Sequence, residues 1–246
     1  MSDRKAGLIG ALAGGVAAVL VIAIAAVSGL ISVGSSADAR MHDYLMTHGH
    51  VLAEAMNKAQ ADQDEAQEAQ LQASVSKLGM KPFVNPKVAF VTGPASAKTT
   101  FVEFFDYNCP HCRNSVPAVQ AFYEKHRNAR FALIEFPIFG ADSEGAARVA
   151  VAARNQPDKY IRFHFALMSL DGEKNEATAL AVAKAVGFDM QKLKVDMQRS
   201  DVERELAAAH VLGVAASLDG TPTFIVNGHA HSGEVTLKDL ETMAKT

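Results

Sequence analysis

Tryptophan is absent from the 246 residues, cysteine occurs only twice and proline eight times. Two cysteines can neither staple a disulfide scaffold nor complete a four-cysteine zinc site. Lys and Arg number 24 against 27 Asp and Glu, a formal net charge of −3. The basic excess of a nucleic-acid-binding chain is therefore missing, and no nucleic-acid partner is expected. Charge is also missing locally: the 32 residues from Ala6 to Ala37 carry none. About 20 apolar residues suffice for a membrane-crossing helix. Arg4 and Lys5 precede the run, which keeps the start cytoplasmic and sends the rest outward. Residues 1–37 therefore read as an N-terminal anchor that meets the membrane through residues 6–33. The alternative is a cleaved signal, since Ala37-Asp38-Ala39 offers small residues at the right spacing. A signal core runs to roughly 7–15 residues, and this run is longer, which favours the anchor. Either way the remainder is exported, and the expected location is the periplasmic face of an inner membrane. In an oxidising compartment two thiols are either one structural bridge or the chemistry itself.

Between Met41 and Leu78 there is no proline and one glycine, Gly49. Met41, Leu45, Leu52, Met56 and Ala59 recur at helical spacing. Asn57 to Ser74 holds five Ala and five Gln, good helix formers that offer little to bury. Residues 38–80 are thus expected to form a helical stalk, self-associating through residues 41–78, its acidic Gln-rich half a solvent-facing spacer. Gly79, Pro82 and Pro86 end it, and residues 82–246 are long enough for one further core.

Within that unit, Thr99 to Phe105 reads as a buried strand with a single acid, Glu103. It runs into Asp106-Tyr107-Asn108-Cys109-Pro110-His111-Cys112, followed by a helical pattern through Val116, Val119, Phe122 and Tyr123. The cysteines therefore sit where a strand hands over to a helix, one turn apart and within bonding reach. Unpaired N–H groups at a helix start favour the thiolate of Cys109. Pro110 stands where a helix tolerates the lost donor, and His111 adds a donor or a positive charge. Each effect stabilises the reduced pair and makes its disulfide a stronger oxidant. An inert bridge over two residues would gain little, because loop-closure entropy is smallest for short loops.

Glu-Phe-Phe-Asp-Tyr-Asn-Cys-Pro-His-Cys, residues 103–112, resembles the active-site strand and turn of the DsbA-like thiol:disulfide oxidoreductases of the thioredoxin superfamily. A second signature, Gly220-Thr221-Pro222-Thr223-Phe224-Ile225-Val226-Asn227-Gly228, stands at the distance the family uses. The resemblance runs from about Val88 to the C-terminus and includes Phe136-Pro137-Ile138 and Ala146-Ala147-Arg148. The Met41–Leu78 helix resembles the oligomerising stalk of exported relatives. It implies an α/β, thioredoxin-like fold with helices inserted at about residues 143–217, preceded by the transmembrane helix and the stalk. It implies that Pro222 is cis and faces the cysteines, and that Thr221 and Pro222 line the groove where an extended substrate pairs with backbone. Cys109 becomes the exposed nucleophile, Cys112 the buried resolving thiol, Pro110 and His111 the redox-tuning pair. Glu103 matches the family's buried acid, a proton shuttle for Cys112. Superfamily members span about −270 to −120 mV, roughly 7 kcal/mol, and Cys-Pro-His-Cys belongs toward the oxidising end.

The expected function is disulfide formation in secreted or periplasmic cysteine-containing proteins. No cofactor is required beyond the redox-active disulfide Cys109–Cys112, and a membrane redox partner restores the working state. Two alternatives stand beside it. An isomerase fits the stalk and Thr221, and a Cu(I)-handling protein fits two soft thiolates but leaves Pro222 unexplained. The dipeptide acts directly on thiolate energetics, which favours oxidation. No metal ligands are assigned: His229 and His231 lie two apart on a strand end without a third partner, and His42, His48 and His50 are irregularly spaced. Phe163, Phe165, Leu167 and Met168 read as core, and Asp106 as a helix-entry acid.

Overall fold

The computed structural model describes residues 35–245. The expected anchor at residues 6–33 lies outside them, and among the described residues no helix is long and apolar enough to cross a membrane. The chain divides into two compact units, Met1–Gln63 and Asp64–Thr246. In the first, helix α1 (Ser35–Thr47) is followed by the start of α2 (Gly49–Leu78). Met41, Met46, Leu52 and Met56 are exposed there, Met46 to 73%.

The second unit is built on five strands: β1 (Phe90–Thr92), β2 (Thr100–Phe105), β3 (Arg130–Glu135), β4 (Thr223–Val226) and β5 (His229–Ser232). Their order is β1-β3-β2-β4-β5, with β2 and β3 parallel and the other pairs antiparallel. Aromatic and β-branched side chains suit the central strands because both faces are covered. Strand alternation divides β2 between two cores. Phe101 and Phe105 pack with Phe131, Leu133, Phe224 and both cysteines on one face. Val102 and Phe104 pack with Ala132, Ile134 and Ile225 on the other. Parity therefore sends Glu103 to the face that carries the cysteines.

Helix α3 (Pro110–Lys125) follows β2, and five helices separate β3 from β4: α4 (Ala141–Ala153), α5 (Pro157–Met168), α6 (Glu176–Val186), α7 (Met190–Met197) and α8 (Ser200–Ala215). Of the four expected core residues, Phe163, Leu167 and Met168 are buried and Phe165 is half-buried against the same core. Alanines 146, 147, 150 and 153 bury one side of α4 with almost no side chain, which lets neighbouring backbones approach closely. Helix α9 (Leu237–Lys245) ends the described chain.

The final turns of α2 do not behave as a solvated spacer. Leu71 and Val75 are buried in the second core beside Phe83 and Phe104. Gln72 donates to the Gly228 carbonyl and accepts from the Ala230 N–H, both at 2.9 Å, while Glu68 accepts from the Ser232 N–H at 3.2 Å. These side chains occupy the open edge of β5 much as a sixth strand would, and so protect it from pairing with other chains.

Candidate active site

The cysteines stand at the C-terminal end of β2, the central parallel strand. Cys109 is the N-cap of α3 in extended conformation, and Pro110 is the first helical residue, where no N–H is needed. The turn is held by Asp106. Its Oδ2 accepts from the N–H groups of Ile138 and Phe139 at 2.7 and 3.1 Å. Its Oδ1 accepts from the Asn108 N–H at 2.8 Å and from the Ser143 hydroxyl at 2.7 Å. Asn108 adds bonds to Ser143, to the Lys174 carbonyl and from the Lys174 N–H. Asp106 is thus more than a helix-entry acid: buried and fully bonded, it ties β2, the loop after β3 and α4 into one frame beneath the cysteines.

Both cysteines are free thiols. Cys109, expected to be exposed, is only 1% accessible. The reason is the segment before β4: the Thr221–Pro222 bond is cis, Pro222 is buried, and the Cys109 thiol donates to the Thr221 carbonyl at 3.1 Å. The structure thereby brings Thr221 and Pro222 against the Cys109 sulfur from 112 residues away in sequence.

The two sulfurs differ strongly in acidity. Cys109 is lowered from 9.0 to about 6, first by the hydrogen bond from Cys112, then by the Thr221 hydroxyl and the backbone N–H groups of Cys112 and His111, against an opposing effect of burial. That hydroxyl is buried and makes no hydrogen bond of ordinary geometry. Burial, with the Cys109 sulfur and Glu103 adding to it, pushes the Cys112 thiol up. Donors at a helix start favour the first sulfur, and the second is enclosed one turn later. Glu103 is 2% accessible with one carboxyl oxygen unbonded. Burial first, and the Cys109 charge second, raise it from 4.5 to about 8, so it holds a proton at neutral pH.

His111 is exposed and lies 2.6 Å from Glu234, an acid that sequence spacing gives no reason to select. Other groups were equally illegible. Glu135 binds Arg154 and Tyr160 in the core, and Arg154 also reaches Glu205 at 3.2 Å and the Val88 carbonyl at 3.1 Å. Tyr107 meets His164 at 3.4 Å, and burial lowers that imidazole to about 3, which keeps it neutral. Among the described residues no group of three His, Cys, Asp or Glu side chains is placed to hold a metal. His231 pairs with Glu68 at 2.7 Å and His229 is exposed.

The thioredoxin family model matches residues 85–245. A thioredoxin-like oxidoreductase from Silicibacter pomeroyi DSS-3 is 38% identical with a TM-score of 0.62, over 68% of this chain and 95% of that one. The thiol-disulfide exchange protein alpha-DsbA2 from Wolbachia pipientis is 22% identical with a TM-score of 0.65, over 73% of this chain and 97% of that one, a likeness of fold. Among curated relatives, the Na(+)/H(+) antiporter NhaA 1 of Salinispora arenicola is 30% identical over 161 residues, 64% of this chain and 24% of that protein. The chain spans about a quarter of the length of the first such antiporters that it matches.

Proposed function

The chain belongs to the thioredoxin family, and on that premise we propose that it is a thiol-disulfide oxidoreductase of DsbA type. It acts outside the cytoplasm, through Cys109 and Cys112, in the direction of disulfide formation. One observation carries the reading: two buried free thiols one turn apart at the start of α3, the first against the Thr221 carbonyl, an arrangement that lowers Cys109 to about 6 and pushes Cys112 up by burial. A pair so divided has an assigned leaving group and an assigned resolving group.

The reaction starts from the Cys109–Cys112 disulfide. A client thiolate attacks the Cys109 sulfur, the bond between the pair breaks, and Cys112 leaves with the electron pair. Because Cys112 holds a proton at any ordinary pH, it takes one, and the protonated Glu103 on the same face supplies it. A second client thiolate then attacks the client sulfur of the mixed disulfide and expels Cys109 as a thiolate. Two electrons have passed from the client to the pair, and the client carries a new disulfide. A thiol of low pKa is a good leaving group as its thiolate, so the depressed Cys109 favours this step. A membrane-bound oxidant must restore the pair, and no further cofactor takes part. Thr221 and Pro222 offer the backbone on which an extended client lies.

Cys112→Ser tests the exchange. It should hold clients as mixed disulfides on Cys109, visible on a non-reducing gel and lost in the Cys109→Ser, Cys112→Ser double variant. Absence of such adducts would refute the mechanism. The isomerase reading retains one supporting observation, the exposed Met41, Met46, Leu52 and Met56 on α1 and α2, side chains that a second copy would cover. Light scattering of the full chain against a variant with Ser at these four positions separates the readings. Dissociation of an oligomer, together with rescue of a scrambled-disulfide client by the parent alone, favours isomerisation.

A further inference from the structure

Residues 233–235, between β5 and α9, are bonded to both halves of the site. The Gly233 N–H donates to the Pro222 carbonyl at 2.9 Å, and Gly233 has φ 97°, a turn that glycine adopts readily. Glu234 Oε1 lies 2.6 Å from His111 Nδ1 and accepts the Asn114 amide at 2.8 Å. The Val235 N–H donates to the Ser115 hydroxyl at 3.3 Å, which in turn donates to the His111 carbonyl at 3.0 Å. Val235 and Ser115 are buried. The carboxylate is therefore presented to His111 by a backbone fixed on one side to the proline loop and on the other to the first turn of α3.

We infer that Glu234 is a positioning residue for the exchange reaction: it fixes the His111 ring at the head of α3 as an imidazolium, whose charge stabilises the Cys109 thiolate. The inference rests on the proposed exchange through Cys109 and adds the group that sets its strength. The titratable groups acting on His111 are Glu234 on this strap and Cys109 on its own helix. The Glu234 hydrogen bond first, and the Cys109 charge after it, raise the imidazole above its ordinary 6.5. The neighbouring Arg113 is engaged with Asp171 at 3.0 Å. Asn114 completes the arrangement by holding the carboxylate in place.

The sign of a substitution is fixed by the pH. Without Glu234 only the Cys109 charge raises the imidazole, so at pH 7.5 a smaller share of it is protonated than in the parent. Removing Glu234 therefore also diminishes the positive charge beside the sulfur. The direct repulsion between Glu234 and the thiolate acts the other way, but it crosses solvent at the rim of the site, where it is strongly screened.

The test measures the equilibrium of the full chain with glutathione at pH 7.5, in the parent, Glu234→Gln, His111→Ala and the double variant. Glu234→Gln should shift the equilibrium about two- to five-fold toward the protein disulfide, the span that exposed ion pairs supply. On the His111→Ala background the same substitution should produce no such shift. In Glu234→Gln the His111 resonances should titrate at lower pH than in the parent. An unchanged equilibrium, a shift toward the dithiol, or an equal shift with and without His111 would overturn the inference. A parent that shows no reversible, Cys109-dependent equilibrium with glutathione would instead overturn the exchange reading itself.

Discussion

Replacing Glu103 by Gln isolates what it costs to keep a carboxylic acid beneath the cysteines. Glu103 stands at about 8 in the folded protein against an ordinary 4.5. The folded state thus retains a proton that the unfolded chain releases once the pH passes 4.5. The Glu103 contribution to stability therefore falls as pH rises from 4.5 to 8 and then levels. At about 1.4 kcal/mol per pH unit the penalty reaches about 2 kcal/mol at pH 6 and about 3 kcal/mol at pH 7. A glutamine escapes it, but its amide meets the same surroundings, in which one carboxyl oxygen already has no partner. That returns about 1 kcal/mol. The expected net effect is a stabilisation of about 2 kcal/mol at pH 7 that vanishes or reverses at pH 4.5. Other groups also titrate. Cys109, lowered to about 6, contributes stability that is present above pH 9 and lost as the pH falls through 6. His164, lowered to about 3, contributes stability present above 6.5 and lost as the pH falls toward 3. Both occur in parent and variant, so they cancel in the difference. The assay is urea unfolding of the reduced parent and Glu103→Gln at pH 4.5, 6 and 7. A difference that stays flat across this range, or a parent more stable at pH 7, would refute the reasoning.

Other perturbations have equally definite outcomes. Pro110→Gly with His111→Pro removes the imidazole beside the thiolate, so the reduction potential measured in glutathione buffers should fall; an unchanged potential would remove the tuning argument. Asp106→Ala strands the Ile138, Phe139 and Asn108 N–H groups and the Ser143 hydroxyl. It should lower urea-unfolding stability by about 3 kcal/mol, and a loss under 1 kcal/mol would contradict its role as the frame of the site. Leu71→Ala deletes a fully buried side chain of α2 and should cost about 2–4 kcal/mol by the same assay, whereas a solvated spacer would show almost none.

Much of the architecture was written locally. The Phe-rich run ending at Asp106 and the Cys-Pro-His-Cys turn announce a strand feeding a helix, because β-propensity, a helix-start proline and one-turn spacing agree. Parity along β2 even places Glu103 on the cysteine face. The helices between β3 and β4 run from Ala141 to Ala215. What escaped detection depends on partners far away in sequence. Gln72 and Glu68 look like solvated surface in an Ala- and Gln-rich helix, yet they bond backbone more than 150 residues away. The burial of Cys109 follows from Thr221, and the bonding of Asp106 from a loop and a helix more than 30 residues on. Glu135 with Arg154, and Glu234 with His111, are ordinary charged residues whose significance appears only once the chain has folded. Periodicity reports which side of an element is apolar; it does not report which polar group waits on the opposing element.

A single titration bears most directly on the division of labour between the sulfurs: thiolate absorbance near 240 nm followed against pH in the reduced chain, with Cys109→Ser as the reference. One thiol should ionise with a midpoint near 6, vanish in Cys109→Ser, and leave Cys112 silent through pH 9. Two thiols ionising together near the 8.5 of free cysteine would contradict the account.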